Sequence, residues 1–228
     1  MRLNADFTKR VVLRPEDMRW VASPMPGVDR RMLDRIGGEV ARATSIVRYA
    51  PGSRFSSHTH GGGEEFLVLD GVFSDETGDY PAGTYVRNPI GTAHAPHSEP
   101  GCALFVKLHQ FEPGDTVQKA IDTRKAAFVP GPEPGLSVLP LHESGTETVM
   151  LIRFAPGTRS EPRSHSGGAE ILVLDGVLSD EHGDYPAGSW LRMPPLSSHA
   201  PHSAGGCLIY VKTGHLTRDK LGRFNEAA

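Results

Sequence analysis

Four consecutive apolar residues, F-L-V-L at Phe66–Leu69, would place apolar side chains on both faces of a strand, since successive side chains alternate across the backbone. Similar short runs are S-I-V-R-Y at Ser45–Tyr49, T-Y-V-R at Thr84–Arg87 and A-L-F-V-K at Ala103–Lys107. Gly, Pro, Asp and Ser punctuate them at intervals of roughly ten residues, the pattern of an antiparallel all-β sandwich or barrel. Neither face of F-L-V-L reads as solvated. The outside of such a barrel therefore needs a cover, from the rest of the chain or from a second copy, and a homodimer is the expected assembly.

The pattern occurs twice. Shifting the sequence by 105 positions aligns Arg48–Lys107 with Arg153–Lys212 without a gap, and 35 of the 60 positions are identical. Such internal similarity signals duplication. L-V-L-D-G-V at Leu67–Val72 returns at Leu172–Val177, and H-A-P-H-S at His94–Ser98 returns at His199–Ser203. The expected organisation is two β-domains in tandem, residues 1–112 and 113–228. The linker between them holds the one segment that reads as a short helix, around Val117–Ala127.

Composition narrows the partners. A 228-residue chain with 38% hydrophobic residues can bury a core, and its net charge of -3 comes without a basic stripe. Nucleic acid and anionic membranes are therefore not expected partners, whereas a small molecule is. No apolar run approaches the roughly 18 residues of a membrane span, and the first residues lack the apolar core of a signal peptide, so a cytoplasmic location is expected. Cys102 and Cys207 have no C-x-x-C spacing and are expected to be buried packing residues.

The chemistry concentrates in H-T-H-G-G-G-E-E, residues His58–Glu65. On an extended chain His58 and His60 face one side, the glycines permit a reversal, and a carboxylate returns opposite them. His94 follows a second turn marked by Pro89 and Gly91. Three imidazoles and one carboxylate suit a divalent transition metal and leave room for water or a ligand.

These residues carry a specific resemblance. G-x5-H-x-H-x3-E-x6-G over Gly52–Gly71 and G-x5-P-x-G-x2-H over Gly83–His94 match the two cupin motifs, with Ser98 where an asparagine often follows. The longer run, including L-V-L-D-G-V-F-S-D-E and G-D-Y-P-A-G-T-Y-V-R-N-P, is similar to the cupin-like domain of ChrR-type anti-sigma factors. The resemblance implies a bicupin with one divalent metal per chain, zinc first, with Fe, Mn or Ni as alternatives. It also implies His58, His60, Glu64 and His94 as ligands, Glu64 rather than Glu65 because the motif counts back from Gly71. A sigma factor is the partner such regulators bind, but the helical domain that grips it in them is not found in this sequence. The alternative function is a cupin dioxygenase acting on a small chelating substrate such as a diketone.

The second repeat has Arg163, His165, Ala169 and His199 where the first has His58, His60, Glu64 and His94, and is expected to hold no metal. Glu65 survives there as Glu170, which suggests a role independent of the metal, such as a hydrogen bond to backbone. Arg87 and its counterpart Arg192 are expected near the pocket rim, gripping an anionic ligand or paired with Asp75–Glu76 and Asp180–Glu181.

Overall fold

In the computed structural model, which describes residues 1–217, the strand Glu64–Asp75 sets the geometry of the first repeat. Its first half pairs antiparallel with Thr84–Asn88 on one side and Cys102–Leu108 on the other. A bulge beside Leu69 shifts the register, and the second half pairs with Gly78–Pro81 and His97 in a smaller sheet. One strand thus crosses from one face of a sandwich to the other, and bulges are the usual device for such a bend. Gly71, just past the bulge, has φ +69, and a side chain there would run into the Gly101 carbonyl.

The main sheet runs Arg2–Leu3, Val28–Gly37, Ala41–Tyr49, Cys102–Leu108, Glu64–Asp75, Thr84–Asn88, Lys119–Asp122. Phe66 and Val68 point inward to a core with Phe73, Val86, Leu104 and Val106. Each such side chain contributes about 1.5–3 kcal/mol when fully removed from water. The alternate positions Leu67, Tyr85 and Phe105 are only 3%, 0% and 1% exposed. Neither face of this strand is solvated, as its unbroken apolar run requires.

The second repeat builds the same arrangement: Val129–Pro130, Leu136–Ser144, Glu147–Phe154, Cys207–Thr213, Ala169–Asp180, Trp190–Met193, Val11–Leu13. The expected all-β architecture of two barrels in tandem is what forms. Two compact units result, Met1–Ala5 with Met18–Ala126, and Asp6–Asp17 with the chain from Ala127 onward. The second unit takes its last strand, Val11–Leu13, from the early part of the chain, where it pairs with Trp190–Met193.

The helix expected around Val117–Ala127 does not form. Lys119–Asp122 is instead an edge strand on Thr84–Asn88, and Thr123 Oγ1 donates to the Gly83 carbonyl at 2.6 Å. An eleven-residue stretch gains little as an isolated helix, whereas the free edge of Thr84–Asn88 offers a full ladder of bonds. The first unit accordingly runs past residue 112. Among the described residues the only helical turn is the 3-10 turn Pro15–Asp17, and no helix is long and apolar enough to cross a membrane.

Candidate metal centre

Pairing of two short strands brings the histidines together. His58–Thr59 lies antiparallel to Ala93–His94, with His58 directly opposite His94. His60 follows at the start of the glycine turn, where its carbonyl accepts from Gly91 N at 3.0 Å and its amide donates to Thr92 O at 2.8 Å. Gly63, at φ +75, closes that turn in a conformation few other residues adopt without strain. The chain then enters the long strand at Glu64, whose side chain shares the inward face with Phe66 and Val68.

All four expected ligands meet: one donor atom from each of His58, His60, Glu64 and His94 lies within 4.8 Å of the others. Glu64 Oε2 stands 3.4 Å from His60 Nε2 and 3.5 Å from His94 Nε2. Two ligands bonded at about 2.1 Å and a tetrahedral angle would be about 3.4 Å apart. The Asn88 side-chain amide donates to the same Glu64 oxygen at 3.3 Å. His60 and His94 are buried, 5% and 3% exposed, while His58 is the most exposed of the four.

The outer nitrogens decide which protonation form each imidazole takes. His58 Nδ1 faces the Ser56 carbonyl at 3.2 Å, and a carbonyl can only accept. His60 Nδ1 is 2.9 Å from Thr92 Oγ1, whose own proton is committed to the Pro89 carbonyl at 2.7 Å. His94 Nδ1 is 3.1 Å from the Asp75 carboxylate. Each Nδ1 therefore carries a proton, which leaves Nε2 as the nitrogen for a metal, and those of His60 and His94 face Glu64. The Nε2 atoms of His60 and His94 are buried without a hydrogen-bond partner. Burial holds the His60 imidazole below its ordinary pKa, which keeps it in the neutral form a metal needs. Imidazole nitrogens gathered around a carboxylate are a donor set that suits a divalent cation.

Asp75 is a positioning residue that spacing alone did not single out. Burial opposes its ionisation, but hydrogen bonds from Thr77 and His94 outweigh it and hold the carboxyl below its ordinary value. Carboxylates behind metal-bound histidines typically carry a factor of 10 to 100 in affinity. Asp75→Asn is therefore expected to weaken metal retention by about tenfold in competition with a chelator. Unchanged affinity would show that His94 needs no such support.

The adjacent glutamate has a different role. Glu65 lies in register between Arg87 and Lys107 on its two neighbouring strands, and its carboxylate pairs with the Arg87 guanidinium, which also pairs with Asp115. Arg87 is fully buried and stacks over Phe111 at 4.1 Å. The expectation that it sits near the rim, facing a ligand or Asp75–Glu76, is thus corrected: alternation from Glu65 places it on the outer face, away from the metal cluster. Arg192 is buried likewise, donating to the Asp6 carbonyl at 3.0 Å and lying over the Phe7 ring at 4.3 Å. In the second repeat Glu170 lies between Arg192 and Lys212 in the same register. The retained glutamate therefore belongs to a buried cross-strand ladder of charged residues.

The second barrel keeps His165 and His199, with ring centroids 5.1 Å apart, and His199 Nδ1 3.4 Å from Asp180. Arg163 turns aside to Ser160 and Glu133, at 2.9 and 2.8 Å. Ala169 supplies no carboxylate, and among the described residues no further cluster suited to a metal forms.

Comparison with known proteins agrees with this construction. The sequence profile of the ChrR cupin-like domain matches the chain twice, over residues 8–112 and 116–217. No curated protein matches it in sequence. Among solved structures, YlbA of Escherichia coli is similar at TM-score 0.71 and 14% identity, covering 92% of this chain and 93% of its own. Pirin YhhW of Escherichia coli, in complex with nickel(II), gives 0.67 and 13%, covering 90% and 98%. Oxalate decarboxylase of Bacillus subtilis, described with Mn(II) centres, gives 0.59 and 15%, covering 89% and 76%. At these identities the likeness is one of fold.

Proposed function

The chain belongs to the ChrR cupin-like domain family, and from that premise we propose that its first barrel is a metal-dependent sensory module. A single divalent ion, zinc, would be held by His58, His60, Glu64 and His94. The carrying observation is that three imidazoles, each with its Nδ1 held by an outer hydrogen bond, gather with one carboxylate within 4.8 Å. Nickel in the pirin and manganese in oxalate decarboxylase support a divalent ion on this fold.

A sensor needs a reactive group that its signal can reach. The two thiols are poor candidates, because both are buried and burial pushes Cys102 up to about 11 and raises Cys207 as well. His58 is exposed, so a small oxidant or ligand would meet the cluster there. The same open side supports a second reading, an oxygen-dependent enzyme acting on a small diketone with Fe, Mn or Ni. When bound, such an ion would supply Lewis acidity and a template for substrate. The chain would contribute orientation through Asp75, Thr92 and Asn88, and a carboxylate at Glu64.

Metal analysis of protein purified without added metal separates the two. The sensory reading expects about one equivalent of zinc per chain, lost in His60→Ala and kept in His165→Ala, with no oxygen uptake on adding pentane-2,4-dione. Retained iron, manganese or nickel together with oxygen consumption would replace it with the enzyme. Two equivalents per chain, one lost on changing His165, would overturn the assignment of a single site.

A further inference from the structure

The second barrel has lost more than its ligands. Where the first repeat has Phe55, Phe66 and His109, the second has Ser160, Ile171 and Gly214, and Ala169 replaces Glu64. All four changes remove bulk. The interior they leave is a cavity of about 460 Å³. At about 30 Å³ per water it has room for roughly fifteen. Much of its wall is apolar, formed by Met150, Ile152, Phe154, Ile171, Ile209 and Val211. Arg163, Glu133, His165 and His199 gather at one side of it. An apolar chamber of this size with a few convergent polar groups is the ordinary form of a small-molecule site.

The polar side specifies the head group. His199 Nδ1 donates to Asp180, which leaves its Nε2 for a ligand. His165 Nε2 is buried with no hydrogen-bond partner. Burial, followed by the neighbouring His199 and Arg163, brings the His165 pKa down to about 4, so its imidazole is neutral at pH 7 and presents either a lone pair or an N–H at Nε2. Arg163 spends one contact on Glu133 and one on Ser160, and its charge is offset by that glutamate. A hydroxyl both donates and accepts and so meets such an imidazole in either form, whereas the Arg163 guanidinium that would attract a carboxylate is already paired with Glu133.

We propose that the second barrel is a metal-independent binding site for a small uncharged hydroxylated molecule, an alcohol or vicinal diol with an apolar body. Its hydroxyls would hydrogen-bond to His165 and His199, and its body would lie against the wall that Ile171 and Met150 help to form. The proposal stands apart from the metal centre, because none of its residues contributes to that cluster.

The test uses the full chain labelled with ¹³C at its methionine methyl groups, Met150 serving as the reporter, with 1,2-octanediol and octanoate as probes. The diol is expected to shift the Met150 resonance saturably, equally well after treatment with EDTA, and octanoate at least tenfold more weakly. Ile171→Phe restores the residue of the first repeat and is expected to weaken diol binding at least tenfold. Ile209→Phe, entering the same chamber from another strand, should do the same, and a melting curve for each variant shows that it is folded. His165→Phe should remove the preference for the diol over octanoate. A Met150 signal indifferent to the diol, tighter binding of octanoate, or binding undiminished in both folded phenylalanine variants would overturn the proposal. Diol binding that vanishes with EDTA would overturn it as well, by moving the ligand to the metal.

Discussion

Glu64→Ala is expected to strip the chain of retained metal while leaving its unfolding in metal-free buffer close to that of the parent, and Glu65→Ala is expected to do the opposite. Glu64 is one of four donors, and its carboxylate faces two imidazole nitrogens at 3.4 and 3.5 Å. Removing it leaves three neutral nitrogens and no charge to balance the ion. Glu65 lies one residue on and faces the other way, against a fully buried Arg87. Breaking a buried ion pair from one side typically costs about 3–5 kcal/mol, because the remaining charge keeps its desolvation penalty. Metal content measured beside urea unfolding distinguishes the two variants. Retained metal in Glu64→Ala together with its loss in a folded Glu65→Ala would reverse the roles assigned here.

The second large effect concerns the bend in the long strand. Gly71→Ala is expected to lower stability by about 3 kcal/mol or more. Positive φ costs a residue with a side chain roughly 1–2 kcal/mol, and the added methyl group meets backbone that cannot turn aside. The atoms it meets are the Gly101 carbonyl and the Cα of Cys102, the latter at 2.9 Å. For a chain of this length that loss corresponds to about 10 °C in melting temperature. Gly114→Ala, where nothing lies within 4 Å of the new carbon, is the control and should be close to neutral. Equal melting temperatures for the two variants would show that the bend tolerates a side chain.

The metal cluster was legible because its information is local. Two motifs with fixed spacings carry His58, His60, Glu64 and His94, and strand alternation separates Glu64 from Glu65. The second repeat sharpened this, since it keeps Glu170 while losing the ligands. What escaped the sequence lies in pairings between distant segments. The buried ion pair of Arg87 with Asp115 joins a repeat to a linker that has no counterpart to compare. Lys119–Asp122 carries no alternation strong enough to announce a strand, and it becomes one because a neighbouring edge is open. The support of His94 by Asp75 depends on where a turn places a carboxylate nineteen positions away. The cavity of the second barrel was hidden for another reason: lost volume has no motif, and it appears only when the two cores are laid side by side.

The borrowed strand bears on how the molecule is made. Residues 6–17 leave the ribosome long before Trp190–Met193, with which Val11–Leu13 pairs in the second unit. The contacts between them span separations such as 170 residues for Arg10 with Asp180 and 186 for Arg192 with Asp6. Contacts so far apart in sequence close late and slowly. The second unit therefore completes its sheet only after Trp190–Met193 has been made, with an unpaired edge exposed in the interval. A gene cut between the repeats would give a downstream half lacking that strand, so the duplication is tied together at the level of translation as well as of structure.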